Sequence, residues 1–171
     1  MREVDDRRVE ANALNNIGAV YRSLGETQKA LEKYNESLQI IRRVGDRRGE
    51  AITLHNIGLV YESLGETQKA LDHYSEALSL MRAVGARDGE ATTLLVVARA
   101  EQKRGNLTQA RQTVEQAVGL IESLRTNIVS QGLRASYFAS QLEFFETYID
   151  VLMQMHKQNQ AAAFDAVALA V

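Results

Sequence analysis

Apolar and small residues recur along the first forty positions with the spacing of one face of an α-helix. They form two stripes separated by a short polar stretch, with steps of mostly three or four residues inside each stripe. The first stripe consists of Leu14, Ile17, Gly18 and Tyr21, and the second of Ala30, Leu31, Tyr34, Leu38 and Ile41. The pattern therefore predicts a pair of amphipathic helices.

Glycines mark the ends of both predicted helices. Gly25 follows the first stripe and Gly45 follows the second, and we expect both in the left-handed conformation that glycine adopts at little cost. Asp46 is then placed to cap the N-terminus of the next helix. The chain contains no proline, which suits helices joined by tight turns.

The two-helix pattern repeats with a period of 40 residues. Residues 4–43 and 44–83 are identical at 25 of 40 positions, and residues 84–123 match the second copy at 12 of 40. This spacing predicts three stacked helix hairpins over residues 1–123. Gly18 and Gly58 lie inside helices, where glycine costs roughly 1 kcal/mol relative to alanine. We expect close helix–helix contact to offset that cost.

The repeat resembles the tetratricopeptide (TPR) signature. The matching residues are Leu14, Ile17, Gly18, Tyr21, Ala30 and Tyr34 in the first copy, and Leu54, Ile57, Gly58, Tyr61, Ala70 and Tyr74 in the second. Leucine replaces the usual tryptophan, and six extra residues at 45–50 and 85–90 lengthen the usual period. This variant is similar to the 40-residue repeats of the Pins/LGN cell-polarity adaptors and of many bacterial TPR proteins. The resemblance implies an all-α, right-handed superhelical solenoid of antiparallel helix hairpins.

The 40-residue spacing ends after residue 123. We expect a longer C-terminal helical hairpin over residues 124–171, truncated at its end, with a turn at Asn159 and Gln160. Residues 136–153 are similar to the stretch that joins TPR arrays to CHAT domains in bacterial, notably cyanobacterial, proteins. That resemblance implies the regulatory arm of a protease-like protein, with no catalytic residue in this chain.

Composition and charge narrow the classes of function. The formal net charge is -2, whereas nucleic-acid binders carry a net basic surface. A basic cluster at residues 42–48 is interleaved with Asp46 and followed by Glu50, so we interpret it as a self-compensated turn. No apolar run approaches the ~18 residues that cross a bilayer, and the opening residues lack a signal-peptide core. We therefore expect a cytoplasmic protein that binds neither nucleic acid nor membrane.

No sequence pattern indicates catalysis. The chain has no cysteine, and its three histidines, at positions 55, 73 and 156, lie far apart without a metal-binding or nucleophile motif. We therefore expect no enzyme activity, no cofactor and no metal site. His55 is interpreted as a groove or surface residue, and His73 as a solvent-exposed one.

In TPR proteins the first helices of successive hairpins line a concave groove. The candidate partner-binding residues on these helices are Asn12, Asn15, Asn16, Arg22, His55, Asn56, Leu59, Glu62, Arg99, Gln102 and Lys103. Asn16 and Asn56 share one repeat position, at which asparagines of Pins/LGN-like proteins contact ligand. An amide can pair with the backbone of an extended peptide, and Arg22, Arg99 and Lys103 would add charge selectivity. Alternatively, the two asparagines bond to neighbouring helices or face water. Val96 replaces the asparagine in the third copy, where the groove should be more apolar.

The sequence therefore predicts a module that binds a partner protein or extended peptide, as the regulatory or scaffold part of a larger protein. An alternative is a self-assembly module. The ends of the repeat array show none of the polar caps that isolated solenoids need, so the end of one chain could stack on another to give a homo-oligomer. Residues 4–11 align with the linker at 44–51, and on that basis we also expect a fragment of a longer repeat protein.

Overall fold

Seven α-helices follow one another in the computed structural model, which describes residues 2–126 and 141–168. In chain order they are α1 (Arg2–Ser23), α2 (Thr27–Val44), α3 (Arg47–Ser63), α4 (Thr67–Ala83), α5 (Arg87–Lys103), α6 (Leu107–Thr126) and α7 (Leu142–Ala168). The described residues contain no strand. The helices form an all-α solenoid, as the repeat pattern predicts.

Each turn between successive helices from α1 to α6 contains one glycine with a positive φ. These glycines lie 20 residues apart, and their φ angles fall between 68° and 79°; they are Gly25, Gly45, Gly65, Gly85 and Gly105. A side chain is strained in this conformation, so glycine sets the point where each helix ends. The predicted cap at Asp46 is also confirmed, because its side chain accepts a hydrogen bond of 2.9 Å from the backbone N–H of Gly49.

Helix α1 differs from its counterparts at its start. It has 22 residues, whereas α3 has 17, and it runs without a break through residues that align with the linker before α3. Asp5 stands where the linker has Gly45, so the residue that would turn the chain easily is missing. The sequence alignment of residues 4–11 with the linker therefore does not produce a turn.

The helices pack as antiparallel hairpins around two tyrosines. Helix α1 packs on α2, α3 packs on α4, and α2 also packs on α3. Tyr34 and Tyr74 are fully buried, and their rings lie directly against Gly18 and Gly58. A Cβ placed at Gly18 would lie 2.8 Å from the Tyr34 ring carbons Cδ1 and Cε1. This confirms the predicted close contact at both glycines.

The basic cluster at residues 42–48 is partly neutralised by nearby carboxylates. The Arg42 guanidinium contacts Glu50 and Glu76, each at 2.6 Å, so it links α2 to α3 and α4. The Asp46 carboxylate forms an ion pair with Arg8 of α1, with 3.2 Å between the Arg8 Nε and the Asp46 Oδ2. These contacts support the interpretation of this stretch as a charge-compensated turn.

The chain divides into two compact units, and the boundary falls inside α5 between Thr93 and Leu94. In the second unit α6 packs on α7. Phe144 and Val151 of α7 are buried, and the Tyr148 hydroxyl donates a 2.9 Å hydrogen bond to Glu115 of α6.

One expectation for the C-terminal region is wrong. Helix α7 runs from Leu142 to Ala168 without interruption, so Asn159 and Gln160 do not form a turn. Both residues are tolerated inside a helix, and no glycine or proline stands beside them to end it. Residues 127–140 lie outside the described part, so the separation of residues 1–123 from a C-terminal hairpin at 124–171 stays a prediction.

Candidate partner-binding surface

The candidate residues of the first two repeats share one surface formed by α1 and α3. We call it the first-helix surface; it consists of Asn12, Asn15, Asn16 and Arg22 on α1, and of His55, Asn56, Leu59 and Glu62 on α3. Asn12, Asn16 and Arg22 are exposed, and the other five residues are half-buried. The two helices therefore present amide, basic and acidic groups next to one another.

An asparagine pair joins α1 to α3. The Asn56 Nδ2 donates a hydrogen bond of 3.1 Å to the Oδ1 of Asn15. For Asn56 the alternative interpretation therefore holds in part, since its side chain bonds to the neighbouring helix. An amide has two N–H donors and one carbonyl acceptor, so this single bond leaves Asn56 able to make further ones. A role of Asn16 and Asn56 in ligand contact stays a prediction.

Arg22 and Glu62 occupy the same repeat position with opposite charge, and each lies near a buried tyrosine. The Tyr74 hydroxyl donates a 3.2 Å hydrogen bond to Glu62, and burial together with this carboxylate raises the pKa of Tyr74. The Tyr34 hydroxyl makes no hydrogen bond within the part of the chain that the structure describes. Burial raises the pKa of Tyr34, and the nearby Arg22 guanidinium, which lacks hydrogen-bond geometry, opposes that rise. The Arg22 charge also reaches the second repeat, where it opposes the rise in the pKa of Tyr74.

His55 is a neutral, hydrogen-bonded residue rather than a freely exposed one. Its Nδ1 lies 2.9 Å from the Thr93 hydroxyl, which donates its own proton to the Gly89 carbonyl at 2.8 Å. With the Thr93 proton on the Gly89 carbonyl, Nδ1 carries the ring proton and donates it to Thr93. Burial lowers the pKa of His55 to about 4, with a smaller lowering from Arg22 and an opposing effect from Glu62. The ring is uncharged at neutral pH.

His73 is not the solvent-exposed residue that the sequence suggested. It is half-buried and stacks on the Tyr61 ring, with centroids 5.3 Å apart and an angle of 4° between the ring planes. Burial lowers the pKa of His73 as well. The sequence alone does not predict this stacking, because it depends on how α4, which carries His73, packs against α3, which carries Tyr61.

Sequence reasoning missed a small cavity that opens beside His55. It has a volume of about 160 Å³ and is lined by Ile52, His55, Met81, Gly89, Thr92 and Thr93. Ile52 and His55 belong to α3, whereas Met81 comes from the second helix of the same hairpin. The sequence feature that could have indicated an apolar cavity here is Ile52, whose counterpart one repeat earlier is the polar Asn12.

The remaining candidates, Arg99, Gln102 and Lys103, belong to the second unit. The Arg99 Nε donates a 3.1 Å hydrogen bond to the Thr147 hydroxyl, and its guanidinium lies 3.4 Å from the Glu143 carboxylate. Arg99 is thus engaged with α7 inside its own unit. Gln102 is half-buried and Lys103 is exposed, while Val96 is half-buried.

The described residues show neither a metal site nor a membrane span. No group of three or more His, Asp or Glu side chains in residues 2–126 and 141–168 is arranged to hold a metal ion. Over the same residues, no helix combines the length and the apolar character needed to cross a bilayer.

The fold and this surface define a helical-repeat protein built from helix hairpins. The family description that matches is the tetratricopeptide repeat, over residues 9–83 and 64–123. The chain belongs to the tetratricopeptide repeat family, whose domains generally mediate protein–protein interactions. A comparison with curated protein sequences finds no match.

Several solved structures share the fold. BtubC from P. vanneervenii is 16% identical with a TM-score of 0.64, over 92% of this chain and 64% of that chain. The Sgt2 TPR domain from Aspergillus fumigatus is 17% identical with a TM-score of 0.63, over 90% and 83%. The first TPR of Spaghetti (RPAP3), bound to the HSP90 peptide SRMEEVD, is 15% identical with a TM-score of 0.61, over 86% and 94%. At this identity the likeness concerns the fold alone.

Proposed function

We propose that this chain is a protein-interaction module whose first-helix surface binds an extended segment of a partner polypeptide. The observation that carries the proposal is the group of asparagines on adjacent first helices: Asn12 and Asn16 are exposed, and Asn15 and Asn56 are half-buried and bonded to each other. Amides on this surface can donate to and accept from a peptide backbone whatever its sequence. The TPR of Spaghetti, which shares the fold, is a peptide-binding example.

Charge would orient the bound segment. Arg22 offers an exposed cationic group on this surface. A segment with an acidic residue near Arg22 would be favoured over one with a basic residue there, because like charges placed together cost binding energy.

The finer resemblances suggest where such a module works. Similarity to Pins/LGN-type repeats, and of residues 136–153 to the stretch preceding CHAT domains, supports a regulatory or scaffold role inside a larger, bacterial and cytoplasmic protein. In that role the module would bind its partner without any chemical step of its own.

Replacing Asn16 and Asn56 together by alanine should weaken peptide binding by roughly tenfold, the equivalent of about 1.4 kcal/mol. The fold should change little, since Asn16 is exposed and Asn56 makes one side-chain bond across a half-buried contact. Peptides selected from a phage-displayed random library on the unsubstituted chain would be synthesised and titrated by calorimetry.

Asn35→Ala is the matched control, because Asn35 is an exposed asparagine on the second helix α2. Its affinity should equal that of the unsubstituted chain, and circular dichroism should confirm equal helix content in all variants. If the double variant binds the selected peptides as tightly as the control, the first-helix surface is not the binding site.

A second candidate function, self-assembly, is favoured by an uncovered face of α1. Ile17 is 44% exposed and Val20 is 57% exposed. Their counterparts one repeat later, Ile57 and Val60, are 1% and 0% exposed, because α2 packs on α3 and its Leu31 and Leu38 belong to the same buried cluster. The same apolar face on α1 lacks such a helix within the described residues, and a second copy of the chain could cover it.

Val20→Lys should abolish any self-association of this kind, since a charge would have to be buried in the contact. Sedimentation velocity over a range of concentrations should show the unsubstituted chain gaining mass and the variant staying at monomer mass. If the mass of both proteins rises equally with concentration, or if both remain monomers, this face of α1 does not mediate self-association.

A further inference from the structure

The cavity beside His55 differs in character from the rest of the first-helix surface. Its outer wall is Ile52, which is 45% exposed, and its inner wall is the Met81 side chain, which is 3% exposed. Gly89 contributes bare backbone. None of the six lining residues carries a charge at neutral pH, since the His55 ring is neutral and its Nδ1–H is bonded to Thr93.

Four of the six lining positions carry a different residue one repeat earlier, and Thr92 is one of them, since its counterpart is Ile52. The residues that correspond to Ile52 and His55 one repeat earlier are Asn12 and Asn15, which are polar. Met81 replaces Ile41. The branched Ile41 side chain lies closer to its neighbouring glycine: a Cβ at Gly49 would lie 2.8 Å from Ile41 Cδ1, whereas a Cβ at Gly89 would lie 3.3 Å from the nearest Met81 atoms. An unbranched methionine also adapts its shape to an entering group.

We propose that this cavity is a specificity subsite that takes one aliphatic side chain, of leucine size, from a bound polypeptide. The proposal rests on the proposed function, and it names the kind of residue that the partner must carry. A volume of about 160 Å³ is comparable to the roughly 150 Å³ apolar cavity that holds a six-carbon ring in another protein. A leucine side chain therefore fits, and its transfer from water into contact with Ile52 and Met81 is favourable.

A polar side chain of the same shape should be rejected. The Thr93 hydroxyl is already occupied, accepting from His55 and donating to the Gly89 carbonyl. A buried amide could donate one N–H to the unprotonated His55 Nε2, but the Thr92 and Thr93 hydroxyls already donate to backbone carbonyls. The amide carbonyl would therefore lose its hydrogen bonds to water without replacement. The cavity therefore distinguishes leucine from asparagine, which are nearly equal in size, and the preceding repeat with Asn12 and Asn15 lacks this preference.

The first test uses small probes and does not require a known partner. Methyl NMR of Met81 Cε and Ile52 Cδ1 would follow titrations with N-acetyl-leucine N-methylamide and with N-acetyl-asparagine N-methylamide. We expect saturable shifts of both methyl signals with the leucine amide alone. Equal shifts with both amides, or no saturable shift with either, would overturn the proposal.

The second test uses the peptides selected by phage display. Ile52→Lys should weaken their binding by about tenfold or more, as expected when an apolar contact of this size is lost, whereas Ile52→Val should retain it. Asn35→Lys is the control, with the same charge at an exposed asparagine of α2 outside the first-helix surface, and should leave the affinity nearly unchanged. A lysine at Asn35 that costs as much as one at Ile52 would contradict a local subsite.

The two proposals fail in different ways. If no peptide is selected, the proposed function fails, and the amide titration still decides whether the cavity takes an aliphatic group. If peptides bind but accept asparagine and leucine equally at every position, the proposed function stands and the aliphatic subsite is wrong.

Discussion

Gly58→Leu should unfold the α3–α4 hairpin, with a loss of about 3 kcal/mol or more in the free energy of unfolding. A Cβ at this position would lie 2.6 Å from Tyr74 Cδ1, well inside the ~3.5–4.0 Å at which carbon atoms make favourable contact. Tyr74 is fully buried and its hydroxyl is fixed on Glu62, so the ring cannot move away without breaking other contacts.

Gly18→Leu should loosen or unfold the first hairpin by the same overpacking against Tyr34. The loss should be smaller than at Gly58, because α1 has an exposed outer face and can shift away from α2. The intrinsic preference of leucine over glycine in a helix, about 1 kcal/mol, is too small to compensate at either position. Urea denaturation followed by circular dichroism would measure both losses.

Gly119→Ala provides the control for helix propensity. Gly119 lies inside α6 and is exposed, and a Cβ there would meet nothing within 4 Å. Alanine should therefore stabilise the protein by roughly 0.5–1 kcal/mol. If the free energy of unfolding rises for Gly119→Ala and falls for Gly58→Leu, packing rather than helix propensity decides the change in stability. A stable Gly58→Leu protein with an unchanged melting curve would mean that the close contact is misplaced.

The regular part of the fold could be predicted from the sequence because its signals are local. Glycine at a positive φ ends a helix whatever surrounds it, so Gly25 and Gly45 were enough to place the turns. Where one of these local signals was absent, the outcome differed: Asp5 in place of glycine lets α1 run on, and Asn159–Gln160 is too weak a signal to end α7.

The details of the surface could not be predicted, because they depend on residues far apart in the sequence. Asn56 bonds to Asn15 across 41 positions, and His55 bonds to Thr93 across 38. The repeat identified which positions face the same way, but it did not show which side chains bond to each other. The cavity also depends on Met81 of the second helix α4, which no pattern on the first helices could indicate.

His55 connects this packing to a measurable pH dependence. Burial holds its pKa at about 4, against an unperturbed value of 6.5, so between these values the unfolded chain binds a proton that the folded protein excludes. The sign follows from that difference: the free energy of unfolding falls as pH drops from about 6.5 towards 4, and His55 contributes no slope above that window. With about 1.4 kcal/mol per pKa unit, the loss reaches on the order of 3 kcal/mol.

His55→Asn should remove this loss while keeping the donor to Thr93, because an asparagine amide can occupy the place of the Nδ1–H and asparagine already stands at the equivalent position 15. Urea denaturation of both proteins at several pH values across the window would give the difference in stability between them. That subtraction cancels the contributions of His73, whose pKa burial also lowers, and of the carboxylates. We expect the difference to shift in favour of the variant as pH falls. A difference that stays constant with pH would show that His55 is accessible to protons in the folded protein.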